Sequence, residues 1–158
     1  MDRVLIVDDD FDICEALQLV LESRYQVEIA YNGEQALQRL ASETFDAMVL
    51  DLMMPVMDGE ALMVELKARG IEIPVVFASA ATHLAARAKS AGAAAWLSKP
   101  FEAHELEAAL ERALGRGGGP KGGSEPSGNS GRSALGFTVS LGFGMSAVKH
   151  PYTLVPTT

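Results

Sequence analysis

Short apolar runs alternate with amphipathic stretches along the first 116 residues. The runs predict strands over 3–7, 26–30, 47–50, 74–78 and 94–97. The first, third and fourth carry unbroken apolar segments (VLIV, AMVL and PVVFA), as strands covered on both faces do. Between the runs, apolar residues recur at three- and four-residue spacing: Ile13, Leu17, Val20 and Leu21, then Ala36, Leu37 and Leu40, then Ala61, Leu62 and Leu66. An alanine-rich stretch over 82–91 predicts a fourth helix, and Leu106, Ala109, Leu110 and Ala113 a fifth. Asp10 stands where a residue would cap the first helix, and Gly115 can terminate the last. Asn32-Gly33 and Asp58-Gly59 precede the second and third helical patterns. Strands alternating with helices of this length imply βαβ units and a parallel sheet. Five in succession predict an α/β domain of doubly wound (βα)5 type.

After Arg116 the composition changes. Residues 117–131 contain seven glycines and two prolines, which cannot bury a core. The expected division is a domain over 1–116, a flexible Gly/Pro/Ser-rich linker over 117–133 and a tail over 134–158. Within the tail, Leu135, Phe137, Val139, Leu141, Phe143 and Met145 alternate with Gly, Thr and Ser. That period of two predicts a single β-strand. A lone strand must find a partner, remain disordered or self-associate. The tail is thus expected either to add to a sheet edge or to be an extension without native function.

Charge separates the same two parts. Residues 1–116 hold ten Lys/Arg against twenty Asp/Glu, whereas residues 117–158 hold three against one. An acidic domain does not track nucleic-acid phosphates, so no DNA binding is expected of it. Cys14 is the only cysteine, which excludes an internal disulfide and any cysteine-rich metal site. No signal peptide is visible at MDRVLIVDDD and no apolar run reaches membrane-spanning length, so a cytoplasmic setting is expected.

The chemistry gathers at the ends of the strands. Asp8 and Asp9 follow VLIV, Asp51 follows AMVL, Ser79 follows PVVFA, and Lys99 follows AAWLS with Pro100 behind it. In an open α/β sheet these ends converge on one crevice, where ligands bind. Clustered carboxylates repel one another unless a cation is present. Oxygen-only ligands suit Mg²⁺ or Mn²⁺ rather than zinc. No Walker-type glycine loop, nucleophile elbow or zinc motif occurs.

The series VLIVDDD, VLDLMMPVMDG, a strand ending in Ser79, and Lys99-Pro100 after AGAAAWL resembles the receiver domain of two-component response regulators, over roughly 1–116. The resemblance implies a flavodoxin-like strand order of 2-1-3-4-5. It implies Asp51 as phosphoacceptor, with Asp8, Asp9, Asp51 and the backbone carbonyl of Met53 holding the metal. Lys99 is expected to pair with the Asp51 carboxylate and later with a phosphoryl oxygen. Ser79 and Trp96 become the switch residues, and Pro100 a candidate for a cis peptide. Met53 and Ala81 offer no polar group to orient an attacking water, so self-dephosphorylation is expected to be slow. His83 and His104 read as exposed helix histidines.

The implied function is a phosphoacceptor switch rather than an enzyme. Its partners would be a histidine kinase or phosphotransfer protein upstream and a protein downstream. Residues 117–158 leave no room for a DNA-binding or catalytic output domain, so the output is expected to be a protein contact. Either the face of the fourth helix, fifth strand and fifth helix or the tail would make it. Two other readings compete. One is an interaction module that works without phosphorylation. The other is a Mg²⁺-dependent aspartate-nucleophile phosphohydrolase, whose DxDx[TV] loop the sequence Asp51-Leu52-Met53-Met54 lacks.

Overall fold

A computed structural model describes residues 1–116, together with Phe137–Thr138 and Val155–Pro156, which pair antiparallel. The expected linker over 117–133 lies outside the described residues. So does the strand expected over 135–145, apart from Phe137 and Thr138.

The periodicity of the sequence becomes five βα units. They are β1 (Arg3–Val7), α1 (Phe11–Leu21), β2 (Gln26–Ala30), α2 (Gly33–Ser42), β3 (Ala47–Leu50), α3 (Gly59–Ala68), β4 (Val75–Ser79), α4 (Leu84–Ala91), β5 (Ala95–Ser98) and α5 (Ala103–Ala113). All neighbouring strands pair in parallel in the order β2-β1-β3-β4-β5. The continuous apolar runs are the three central strands, while β2 and β5 form the edges and expose part of their residues.

Alternate strand residues feed two cores. Val4, Ile6, Val49 and Val76 face Ile13, Leu17, Leu106 and Leu110 of α1 and α5. Leu5, Val7, Met48, Leu50 and Phe77 face Leu37, Leu62, Leu66 and Leu84 on the side of α2, α3 and α4. Because the chain turns from β1 to β2 on one side and then to β3 on the other, a crevice opens at the carboxyl ends of β1 and β3.

Helix starts set the loops around that crevice. Asp10 caps α1, Asn32 caps α2 and Asp58 caps α3, each accepting from backbone N–H groups of the first turn. The Asn-Gly and Asp-Gly pairs therefore begin helices. Gly59 is needed where it stands: a Cβ there would lie 2.6 Å from the Asp51 carbonyl oxygen. The fourth helix is shorter than the expected 82–91. His83 adopts a left-handed backbone (φ 56°) and caps Leu84–Ala91 without a side-chain hydrogen bond. A composition rich in alanine carries no signal for that interruption.

Among the described residues, Val56 is the other non-glycine with positive φ, at 67°. Met57 N–H donates to the Pro55 carbonyl at 2.8 Å across it, forming a three-residue γ-turn. Val56 is fully exposed and gains no packing there. A β-branched residue in this region costs on the order of 1–2 kcal/mol. Val56→Gly, which has no Cβ to strain at positive φ, is expected to stabilise the domain by about 0.5 kcal/mol once the greater freedom of the unfolded glycine is set against the relief. Equilibrium urea unfolding checks this, and an unchanged midpoint contradicts it.

Candidate functional site

Three consecutive acids follow β1, and the helix takes one of them. Asp10 Oδ1 accepts from the backbone N–H groups of Asp12 and Ile13 at 3.1 and 3.3 Å, so it belongs to the α1 cap. Asp8 turns inward instead. Its Oδ1 accepts from the Asp10 N–H at 2.9 Å and its Oδ2 from the Lys99 ammonium at 2.8 Å. Asp51, first after β3, accepts from the Met53 N–H at 3.1 Å and lies 3.5 Å from the same ammonium. Lys99 thus sits between two carboxylates, closer to Asp8 than to the Asp51 expected as its partner. Its side chain is only 2% exposed.

Lys99 reaches this place because β5 lies beside β4. Its backbone N–H donates to the Ser79 carbonyl at 3.0 Å, and the Lys99–Pro100 peptide is cis. Ser79 ends β4 fully buried, its Oγ accepting from the Ala81 N–H at 3.2 Å. One carboxylate oxygen from each of Asp8, Asp9 and Asp51 lies within 4.8 Å of the others. Three carboxylates against one ammonium leave excess negative charge. All the donors are oxygens, so the residues present fit a hard divalent cation that keeps some of its waters.

The electrostatics follow from burial. Loss of hydration pushes the Asp8 carboxyl up to about 6; Lys99 opposes this and the Asp51 charge adds to it. A folded value above the ordinary 3.8 means that stability from Asp8 is present below about pH 4 and is lost as pH rises through about 6. At neutral pH the ionised Asp8 therefore works against folding. Cys14 lies beneath it, its thiol donating to the Asp8 carbonyl at 3.3 Å. Burial, and then the charges of Asp8 and Asp10, push that thiol up to about 12, so it stays protonated and is neither a ligand nor a nucleophile.

Beside the loop that follows Asp51 the surface is hollowed. A cavity of about 610 Å³ lies between the loops after β3 and β4, lined by Met53, Met54, Ala81, Thr82 and Arg87 among others. Met53 is 59% exposed there. Two pairs at this end of the domain left no mark in the sequence. Arg87 of α4 donates two 2.8 Å hydrogen bonds to Glu60 of α3, and Phe11 stacks on Tyr31 with ring centroids 5.4 Å apart. Trp96 is half-buried on β5 and packs against the core below α4, with the Lys89 ammonium 5.6 Å from its ring centre. His83 is exposed at the α4 cap rather than within the helix, and His104 is exposed on α5 beside Glu102. No helix among the described residues is long and apolar enough to cross a membrane.

Residues 4–111 match the family described as the response regulator receiver domain. Response regulator MprA of Mycobacterium ulcerans (strain Agy99) is 38% identical over 117 residues, which cover 72% of this chain and 50% of that protein. MprA of Mycobacterium tuberculosis (strain ATCC 25618 / H37Rv) is 39% identical over the same length, covering 72% and 51%. The chain spans about half the length of the curated relatives it matches. Among solved structures, the receiver domain of Francisella response regulator 1452 aligns with a TM-score of 0.68 at 29% identity, covering 73% of this chain and 98% of that one. Chemotaxis protein CheY4 of Vibrio cholerae aligns with a TM-score of 0.67 at 30% identity, covering 72% and 99%.

Two outcomes follow from the crowding of charge. Asp51→Asn keeps an oxygen for the Met53 N–H and leaves Lys99 on Asp8, while removing one of the repelling charges. In EDTA at neutral pH it is expected to stabilise the domain by about 1 kcal/mol, or about 3–6 °C in thermal midpoint. Excess Mg²⁺ is expected to narrow the difference by stabilising the wild type more. A lower midpoint for the variant in EDTA contradicts this. Native Cys14 is expected to resist thiol reagents at pH 8 and to react at once in urea; rapid labelling of folded protein contradicts its burial as an acid.

Proposed function

The chain belongs to the response regulator receiver family, and from that premise we propose that it is a phosphoacceptor switch whose Asp51 takes a phosphoryl group from the histidine of a kinase or phosphotransfer protein. The observation that carries this reading is the position of Asp51. Its carboxylate is buried at the end of β3, beside two further carboxylates and 3.5 Å from a buried ammonium.

In the transfer, an Asp51 oxygen forms a bond to phosphorus while the P–N bond to the donor histidine breaks and the imidazole keeps the electron pair. A carboxylate is a weak nucleophile, so the site must orient the donor and neutralise charge on the phosphoryl oxygens. A bound Mg²⁺ or Mn²⁺ supplies that neutralisation as a Lewis acid. Asp8, Asp9 and Asp51 would hold it, with the Met53 carbonyl as a further ligand. Lys99 remains fixed by Asp8 and needs only a small shift to meet a phosphoryl oxygen. Ser79 gives up the Ala81 N–H and turns its hydroxyl to the new anion. The space it leaves admits Trp96, which alters the face formed by α4, β5 and α5. A downstream protein reads that face, or the tail.

Intact mass after incubation with acetyl phosphate and Mg²⁺ tests the reading. A single phosphate adduct is expected on the wild type, and none with Asp51→Asn or with EDTA. Absence of an adduct from folded wild type overturns the proposal in favour of an interaction module that works without phosphorylation. Slow loss of the adduct is also expected, since neither Met53 nor Ala81 can orient a water. A half-life of minutes or longer is the anticipated result, followed by mass spectrometry after desalting; a lifetime of seconds contradicts it.

A further inference from the structure

Of the five helices, α4 is the least secured at its start. The other four receive side-chain caps or a capping box, whereas α4 begins at a left-handed His83 with no side-chain hydrogen bond. It is also the shortest, at eight residues. Two of its polar side chains tie it sideways. Arg87 grips Glu60 of α3, and Lys89, in the last turn, reaches over Trp96 of β5. Lys89 is exposed, and among the described residues it has no ion-pair partner. The position suits it twice over: a cation at a helix C-terminus complements the helix dipole, and an ammonium over an indole face is attracted by the ring quadrupole.

Trp96 is held from below by the apolar layer that includes Leu84 and Ala88 of the same helix, and from the side by this ammonium. An exposed cation–π contact biases an equilibrium only about two- to five-fold. That is little against the stability of a fold, but it matters where a ring chooses between two seats of similar energy. We propose that Lys89 is a positioning residue for Trp96, holding the indole against α4 at rest and setting how readily it leaves when Asp51 is phosphorylated. The inference rests on the phosphoacceptor reading for its second half only.

Trp96 is the only tryptophan in the chain, so its fluorescence reports this seat alone. Acrylamide quenching is compared for wild type, Lys89→Met and Lys89→Arg in EDTA, with circular dichroism to confirm folding. Methionine keeps the unbranched stem and removes the charge; arginine keeps the charge. The expected result is a quenching constant about two-fold higher for Lys89→Met and near wild type for Lys89→Arg. Equal quenching in all three overturns the proposal, and Lys89→Gln supplies a second neutral variant if methionine disturbs the fold. Acetyl phosphate and Mg²⁺ are then added and the emission change is scaled to the adduct measured by mass. A smaller change per adduct for Lys89→Met supports the coupling, and identical changes overturn that half. Failure to form any adduct defeats the phosphoacceptor reading instead, while the resting comparison still decides whether Lys89 seats the ring.

Discussion

One ammonium among three carboxylates is the constraint around which this domain is arranged. Lys99, Asp8 and Asp51 have side chains that are 2%, 4% and 7% exposed, so water screens them little. Removing either carboxylate leaves the ammonium one partner, but removing the ammonium leaves two buried anions in contact range. The parallel sheet makes the arrangement possible: it delivers Asp8 from β1, Asp51 from β3 and Lys99 from β5 to one end. Even so, Asp8 remains pushed up by its burial, so its ionised form works against folding at neutral pH.

That arrangement demands close tolerances around Asp51. The first residue of α3 approaches the Asp51 carbonyl so nearly that only a glycine fits, and Gly59 N–H also donates to the Leu52 carbonyl at 3.1 Å. The chain between them turns through the strained Val56, while Met57 is drawn in against Gly33 of α2. Strain at Val56 and the missing Cβ at Gly59 both lie within ten residues of Asp51, one of the clustered carboxylates. Sites that depart from local preference in several ways at once are where function is expected to reside.

The sequence was legible wherever one physical effect dominated. Unbroken apolar runs marked β1, β3 and β4 as central because burial on both faces overrides every other demand on those residues. Asp10 announced a helix start because capping is local. The acids and the lysine could be placed at one end from strand alternation alone, since a parallel sheet aligns carboxyl termini. It was illegible where neighbours distant in sequence decide the outcome. The left-handed His83 shortens a helix that composition extends to 82. Lys99 prefers Asp8 to Asp51 by 0.7 Å because of where β5 crosses the crevice, which no spacing encodes. The Glu60–Arg87 and Lys89–Trp96 pairs depend on how α4 lies across its neighbours, and helix packing angles are not written in either partner.

The far pole of the sheet holds the exit of α5. Arg116, the residue after α5 and its terminating Gly115, pairs with Asp2 just before β1. Arg24 bonds Glu107 and Glu111 of α5, and the Tyr25 hydroxyl donates to Glu111 at 3.0 Å. The exit of α5 is therefore fastened to the amino-terminal end of the sheet, a strand length of about 17 Å from the carboxylates. These ties leave α5 little freedom to carry a displacement along its own axis. By contrast, α4 starts without a side-chain cap and is tied sideways, through Arg87 to Glu60 of α3 and through Lys89 over Trp96 of β5. Among the described residues the fastening at the far pole thus falls on α5, while α4, the helix that follows the Ser79 strand, lacks a side-chain cap at the end nearest the carboxylates.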